Sequence, residues 1–90
     1  MTDELMTMAR LHITFRGEGG YLPDDVDYET SLADLGRIAA EAIATGSIPG
    51  IAPSEGVTSQ DFADYTVDRM PSKDDQPPRL YYRNKTSVGA

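Results

Sequence analysis

A chain of 90 residues with 15 acidic and 8 basic side chains has room for one modest core and carries a formal charge of −7 at pH 7. This acidity disfavours direct binding to nucleic-acid phosphates, which requires clustered Lys and Arg. The sequence contains no cysteine, which excludes disulfides and thiolate metal sites and predicts a cytoplasmic protein.

The first eight residues are predicted to be a flexible leader. They include two acids and no uninterrupted apolar run, so they predict neither a signal peptide nor a membrane span. We expect a single domain over residues 9–84, a loose tail over 85–90 and no interaction with a membrane.

The first predicted strand runs from Arg10 to Arg16. Its apolar residues alternate with polar ones, which is the period of a strand with one buried face, and they are Leu11, Ile13 and Phe15. His12, the only histidine, lies on the polar face of this strand. One histidine cannot supply a multi-histidine metal site within one chain, so we interpret it as a surface residue.

A glycine-rich segment after this strand predicts a hairpin turn. Residues 17–20 are Gly-Glu-Gly-Gly, and glycine tolerates the positive φ angles of a tight reversal. Leu22, Val26 and Tyr28 then resume the alternation and predict a second strand. Pro23 predicts that this strand lies at an edge of the sheet, because proline cannot donate a ladder hydrogen bond.

The clearest pattern in the sequence predicts one helix from Leu32 to Ala44. Ser31 is a candidate N-cap and Gly46 a candidate end signal. Gly36, inside the helix, predicts the close approach of a strand. The apolar residues recur at steps of three and four on one face, and they are Leu32, Leu35, Ile38, Ala39, Ala42 and Ile43.

The second half of the chain predicts a long loop and two more strands. Residues 47–60 are rich in Gly, Pro and Ser, but their aliphatic side chains predict a loop that packs on the domain. Residues 62–70 favour a short helical turn leading into a strand, and 79–83 favour a last strand. The predicted fold class is therefore α+β, with about four strands packed on one main helix in the order ββαββ.

The run from Arg10 to Gly46 resembles the opening of a ubiquitin-like β-grasp protein. The resemblance lies in a strand, a glycine turn, a second strand and the sequence Ser31-Leu32-Ala33-Asp34-Leu35 that enters the helix. It implies a β-grasp-like sheet and use as a binding module. Ubiquitin-like modifiers and sulfur carriers end in Gly-Gly, whereas this sequence ends Val88-Gly89-Ala90, so we do not expect conjugation or sulfur carriage.

Acidic residues are concentrated in two segments of the sequence. Residues 21–30 carry a charge of −4 and residues 61–78 a charge of −3. Alternating acids are candidate Ca²⁺ or Mg²⁺ ligands, but the glycine and glutamate that complete an EF-hand loop are missing, and we predict no metal. We predict instead that the acids bind a partner protein, for which a basic surface is one option, and the candidates are Asp24, Asp25, Asp27, Glu29, Asp61, Asp64 and Asp68.

The C-terminal segment has the opposite charge, since residues 79–90 carry +3. Tyr81 and Arg83 are therefore candidates to bind a nucleotide or an acidic peptide by stacking and ion pairing, or the acidic edge of a second copy. A homo-oligomer is thus one of the expected assemblies.

These features predict a non-catalytic protein-binding or regulatory module without a cofactor. One alternative is an acidic inhibitor of the mobile-element type, which imitates nucleic acid and occupies the basic groove of a nucleic-acid-handling enzyme. That hypothesis requires the acids to converge on one face. Another alternative is an enzyme with Glu29 or Asp68 as general base, which requires a pocket that raises the pKa of the carboxylate.

Overall fold

The computed structural model describes residues 7–73 and 75–85. Most of the predicted leader (1–6) and tail (86–90) lies outside the described residues. One helix, α1, spans Leu32–Ala44, and a short 3₁₀ helix spans Ser59–Phe62. The strands are β1 (Met8–Phe15), β2 (Glu18–Tyr21), β3 (Val26–Asp27), β4 (Tyr65–Met70) and β5 (Arg79–Asn84).

The strands form one mixed sheet, in which the order of the four longer strands is β2-β1-β5-β4. The central strands β1 and β5 run parallel, with Leu11 beside Leu80, while β2 and β4 pair antiparallel with them. The short strand β3 pairs with the beginning of β1. The predicted α+β class is confirmed, and β3 is an addition to the predicted ββαββ order.

The hairpin turn lies one position earlier than predicted. Phe15 pairs with Glu18, so the turn consists of Arg16 and Gly17, which both have positive φ (53° and 83°). Positive φ at both central residues is what a two-residue turn of type I′ requires. The prediction that residues 17–20 form the turn was therefore wrong, because Gly19 and Gly20 belong to β2. The predicted second strand is also divided, since β2 ends before Pro23 and β3 begins after it.

The helix has the predicted bounds and the predicted N-cap. The hydroxyl of Ser31 accepts a hydrogen bond from the Asp34 amide at 3.2 Å. A side chain at Gly36 would begin 3.3 Å from the hydroxyl of Tyr82 on β5, so the predicted close approach of a strand is confirmed. Leu32 was predicted on the buried face but is 45% exposed, because it begins the helix at the rim of a groove between α1 and the 3₁₀ helix.

The core lies between α1 and the facing side of the sheet. The long loop contributes to it through Ile48 and Ile51, which are buried, as predicted. The Ala52 amide donates to the Glu18 carboxylate at 2.8 Å and ties this loop to β2. The most completely buried large side chains are Leu11, Ile13, Leu35, Ile43, Ile48, Leu80 and Tyr82.

Burial raises the pKa of Tyr82 to about 12, with a smaller contribution from nearby Tyr65. An unfolded tyrosine has a pKa of about 10, so the stability contributed by neutral Tyr82 is complete below pH 10 and is lost as the pH rises toward 12. We expect the free energy of unfolding to fall by up to about 1.4 kcal/mol per pH unit in that window. Urea unfolding across this pH range measures that free energy, and its decrease with pH should be smaller for Tyr82→Phe than for wild type. Part of the pH dependence should remain in this variant, because burial also raises the pKa of Tyr65.

Candidate functional site

The side of the sheet opposite α1 brings together aromatic, basic and sulfur-containing side chains. Side chains alternate along a strand, so the neighbours of Leu11, Ile13, Leu80 and Tyr82 point away from the helix. We call this side the open face. Its larger and charged side chains are Met8, Arg10, His12, Tyr21, Asp27, Asp68, Met70, Arg79, Tyr81 and Arg83.

A row of rings crosses the middle of the open face. His12 on β1 is in register with Tyr21 on β2 and with Tyr81 on β5, and its ring centroid lies 4.9 Å and 5.6 Å from theirs. A Cβ at Gly19 would lie 3.0 Å from Cε1 of His12, so the glycine leaves room for the imidazole. Burial lowers the pKa of His12 below its ordinary value of 6.5, which favours the neutral ring at pH 7.

Two arginines lie side by side along one margin of this row. Arg10 on β1 pairs with Arg79 on β5 in the parallel register. The Arg10 guanidinium lies over the ring of Tyr21 at 4.5 Å from its centroid, and that of Arg79 lies 5.9 Å from the centroid of Tyr81. Within residues 7–73 and 75–85, neither arginine has a carboxylate partner. The Nε of Arg79 is also buried there without a hydrogen-bond acceptor.

The third arginine of the open face is already paired. Arg83 donates to both carboxylate oxygens of Asp68, from Nε at 2.6 Å and from Nη2 at 3.3 Å. The hydrogen bond from Arg83 lowers the pKa of Asp68, and the same bond raises the pKa of the guanidinium. The positive charge that is free for a ligand therefore belongs to Arg10 and Arg79.

Two large apolar side chains complete the open face. Met8 is 45% exposed and Met70 is 43% exposed. Met70 on β4 pairs with Arg79 on β5, which in turn pairs with Arg10, so Met70 lies next to the two arginines. Methionine is flexible and polarizable, so it adapts well to the surface of a partner. The open face thus combines apolar contact area with charge.

The predicted acids do not share one surface. Asp27 on β3 pairs with Met8 at the beginning of β1. Asp64 directly precedes Tyr65, which pairs with Asn84 at the opposite end of the sheet. About seven residues along the strands separate the position of Asp27 from that of Asp64, which corresponds to roughly 20 Å. Asp68 lies on the open face itself, and Asp27 lies at the end of the same face, beside Met8.

Several of these acids have local structural contacts. The Asp27 carboxylate accepts a hydrogen bond from the Glu29 amide at 2.8 Å. The Asp61 carboxylate accepts one from the Thr58 amide at 2.9 Å and completes the capping box of the 3₁₀ helix. Asp24 and Asp25 are exposed in the connection between β2 and β3. The structure therefore brings together Tyr81, Arg83 and Asp68 among the predicted binding residues, and it disperses the others.

Sequence reasoning missed six residues of the open face, namely Met8, Arg10, His12, Tyr21, Met70 and Arg79. The alternation in β1 had placed Arg10 and His12 on a polar face, which was a usable signal. Their contact with the tyrosines and with Arg79 depends on the parallel pairing of β1 with β5, and no local pattern encodes that pairing.

Comparisons with protein-family models, with curated proteins and with solved structures find no match to this chain. Among the described residues, no helix is long and apolar enough to cross a membrane. That part of the chain also holds no group of three or more His, Asp or Glu side chains placed to bind a metal ion. The functional argument therefore depends on the open face.

Proposed function

We propose that this protein is a non-catalytic protein-binding module and that it binds its partner through the open face. The observation that carries the proposal is the row of Tyr21, His12 and Tyr81 with two arginines beside it, on the side of the sheet that α1 does not cover. Neither arginine has a carboxylate partner among the described residues, although Arg79 donates to the Gln76 side chain at 3.1 Å. Tyrosine and arginine are enriched at protein interfaces and dominate their binding energy.

The dimensions of the open face favour a small or transient contact. Four strands about 4.8 Å apart and roughly 20 Å long offer a few hundred Å². A standard protein interface buries about 800 Å² on each partner. A peptide segment or a weakly bound regulatory partner fits this area better than a permanent subunit.

The exposed methionines support the same proposal. Surface-exposed apolar side chains of this size are common singly, but Met8 and Met70 both lie on the open face beside the arginine pair. A partner that covers the arginines would also remove apolar surface from water, which contributes about 25 cal/mol per Å².

The other hypotheses receive less support from the geometry. Arg83 lowers the pKa of Asp68, whereas a general base needs a raised one. Nucleic-acid mimicry requires acids on one face, and the predicted acids lie at both ends of the sheet. Recognition of a basic partner by these acids stays a prediction.

The proposal is tested by affinity capture from a lysate of the source organism with two matched variants. Arg10→Gln with Arg79→Gln removes two positive charges from the open face. Arg16→Gln with Arg37→Gln removes two from elsewhere, since Arg16 is a turn residue and Arg37 pairs with Asp34 on the helix. We expect the first variant to lose the captured partner and the second to retain it.

Thermal unfolding of both variants checks that the fold is intact. Equal capture by wild type and both variants would place the binding surface away from the open face. If wild-type protein captures no partner at physiological salt, the proposed function is wrong.

A further inference from the structure

We propose that the open face binds an acidic segment of a partner protein, with Arg10 and Arg79 receiving its carboxylates. This inference depends on the proposed function and specifies the chemistry of the partner. It follows from three features of the open face: a pair of like charges with no carboxylate partner among the described residues, the position of each guanidinium near a tyrosine ring, and His12 between the two rings.

The arginine pair is electrostatically unfavourable unless an anion is bound. Arg10 and Arg79 are direct neighbours on adjacent strands, whose backbones lie about 5 Å apart. Like charges directly opposite each other destabilise a sheet. The described residues provide no carboxylate for either arginine, although Asp68 does so for Arg83 on the same face. A carboxylate placed between the two guanidiniums would relieve this repulsion.

The stacked geometry favours a carboxylate over a nucleobase. Arg10 lies over the face of the Tyr21 ring, and His12 meets the same ring in an edge-to-face arrangement with planes at 76°. A base that stacked on that covered face would have to displace the guanidinium. A guanidinium that lies over a ring can still present its N–H groups to a ligand, and their planar arrangement matches a carboxylate with two parallel hydrogen bonds.

The net charge of the protein limits the length of the anion. A long polyanion such as a nucleic-acid strand would also meet the acids elsewhere on a molecule of charge −7. The electrostatic screening length is about 8 Å at physiological salt, so a short acidic segment interacts mainly with the local arginines. A second copy of this chain also has an acidic segment, over residues 21–30, but it brings the whole negative charge with it.

His12 provides a specific reporter, because it is the only histidine of the chain. The groups around it on the open face are Tyr21, Tyr81, Arg10, Arg79 and Asp68. Burial lowers its pKa in the free protein. Carboxylates bound beside the ring favour the imidazolium, so the pKa of His12 should rise when the acidic segment binds.

The test is a fluorescence-anisotropy titration with a labelled extended peptide of about ten residues that alternates Glu and Ser, long enough to cross the sheet. A peptide with Gln in place of Glu is its control. At about 0.15 M salt, we expect the Glu peptide to bind wild-type protein at least about tenfold more tightly than the Gln peptide. Arg10→Gln with Arg79→Gln should remove this preference, whereas Arg16→Gln with Arg37→Gln should retain it. NMR titration should show the pKa of His12 rising in the bound state.

Three results would overturn the inference. The first is equal binding of the Glu and Gln peptides, and the second is tighter binding of a labelled single-stranded oligonucleotide than of the Glu peptide. The third is that Arg10→Gln with Arg79→Gln abolishes a self-association seen by sedimentation and leaves peptide binding unchanged. If the peptide test fails but a partner is still captured through the open face, only the acidic chemistry of the partner is rejected. Capture that does not depend on the open face rejects the proposed function itself.

Discussion

Replacement of Gly20 by alanine should destabilise the protein by about 2 to 4 kcal/mol, because it forces one extra methyl group into a site that has no room for it. A Cβ at this position would overlap the carbonyl oxygen of Pro49 and lie 2.9 Å from Cγ2 of Ile48. The Pro49 carbonyl belongs to the backbone and cannot move aside by a side-chain rotation, so the loop that contains it would have to separate from β2. That movement would expose Ile48, which is buried in the core. Urea unfolding monitored by circular dichroism measures the loss.

Gly19→Ala is the matched control, because the same methyl group is added to the adjacent residue of the same strand. Its Cβ would meet only side-chain atoms of His12 and Thr14, at 3.0 Å and beyond. Alanine also reduces the conformational entropy of the unfolded chain, which favours folding by about 0.4 to 1 kcal/mol. We therefore expect a change of less than about 1 kcal/mol. Equal losses for the two variants would show that the loop does not pack on Gly20 as described.

The helix and the buried side of β1 were predictable because their signals are local. Ser31 and the spacing of Leu35, Ala39 and Ile43 specify where a helix begins and which side is buried. Strict alternation in β1 specifies its inward residues in the same way. Each pattern is contained in about a dozen residues and needs no knowledge of the rest of the fold.

The errors have a common cause, which is that the deciding contact lies far away in the sequence. Gly19 and Gly20 have the composition of a turn, but both pair with β1, and the loop after the helix packs closely against Gly20. Leu32 follows the apolar period of the helix, yet it begins the helix beyond the densely packed region. Tertiary packing overrides local preference in both cases.

The candidate site was predicted only in part for the same reason. Tyr81 and Arg83 were identified from the basic and aromatic composition of the C-terminal segment. The arginine pair requires β5 to lie parallel to β1, and Arg79 follows Arg10 by 69 positions in the sequence. The acids were chosen by proximity in sequence, but β3 and the segment before β4 lie at opposite ends of the sheet.

Replacement of Leu35 by alanine should cost about 2 to 4 kcal/mol, because it removes buried methylene groups and leaves a cavity between α1 and the sheet. Leu35 is fully buried, whereas Leu32, one turn earlier in the same helix, is 45% exposed. Leu32→Ala deletes the same atoms from the same helix, so it is a control for helix propensity and for the chemistry of the change. We expect Leu32→Ala to cost less than about 1 kcal/mol on chemical denaturation. A loss below about 0.5 kcal/mol for Leu35→Ala, or equal losses for both, would mean that α1 packs on the sheet through a different face.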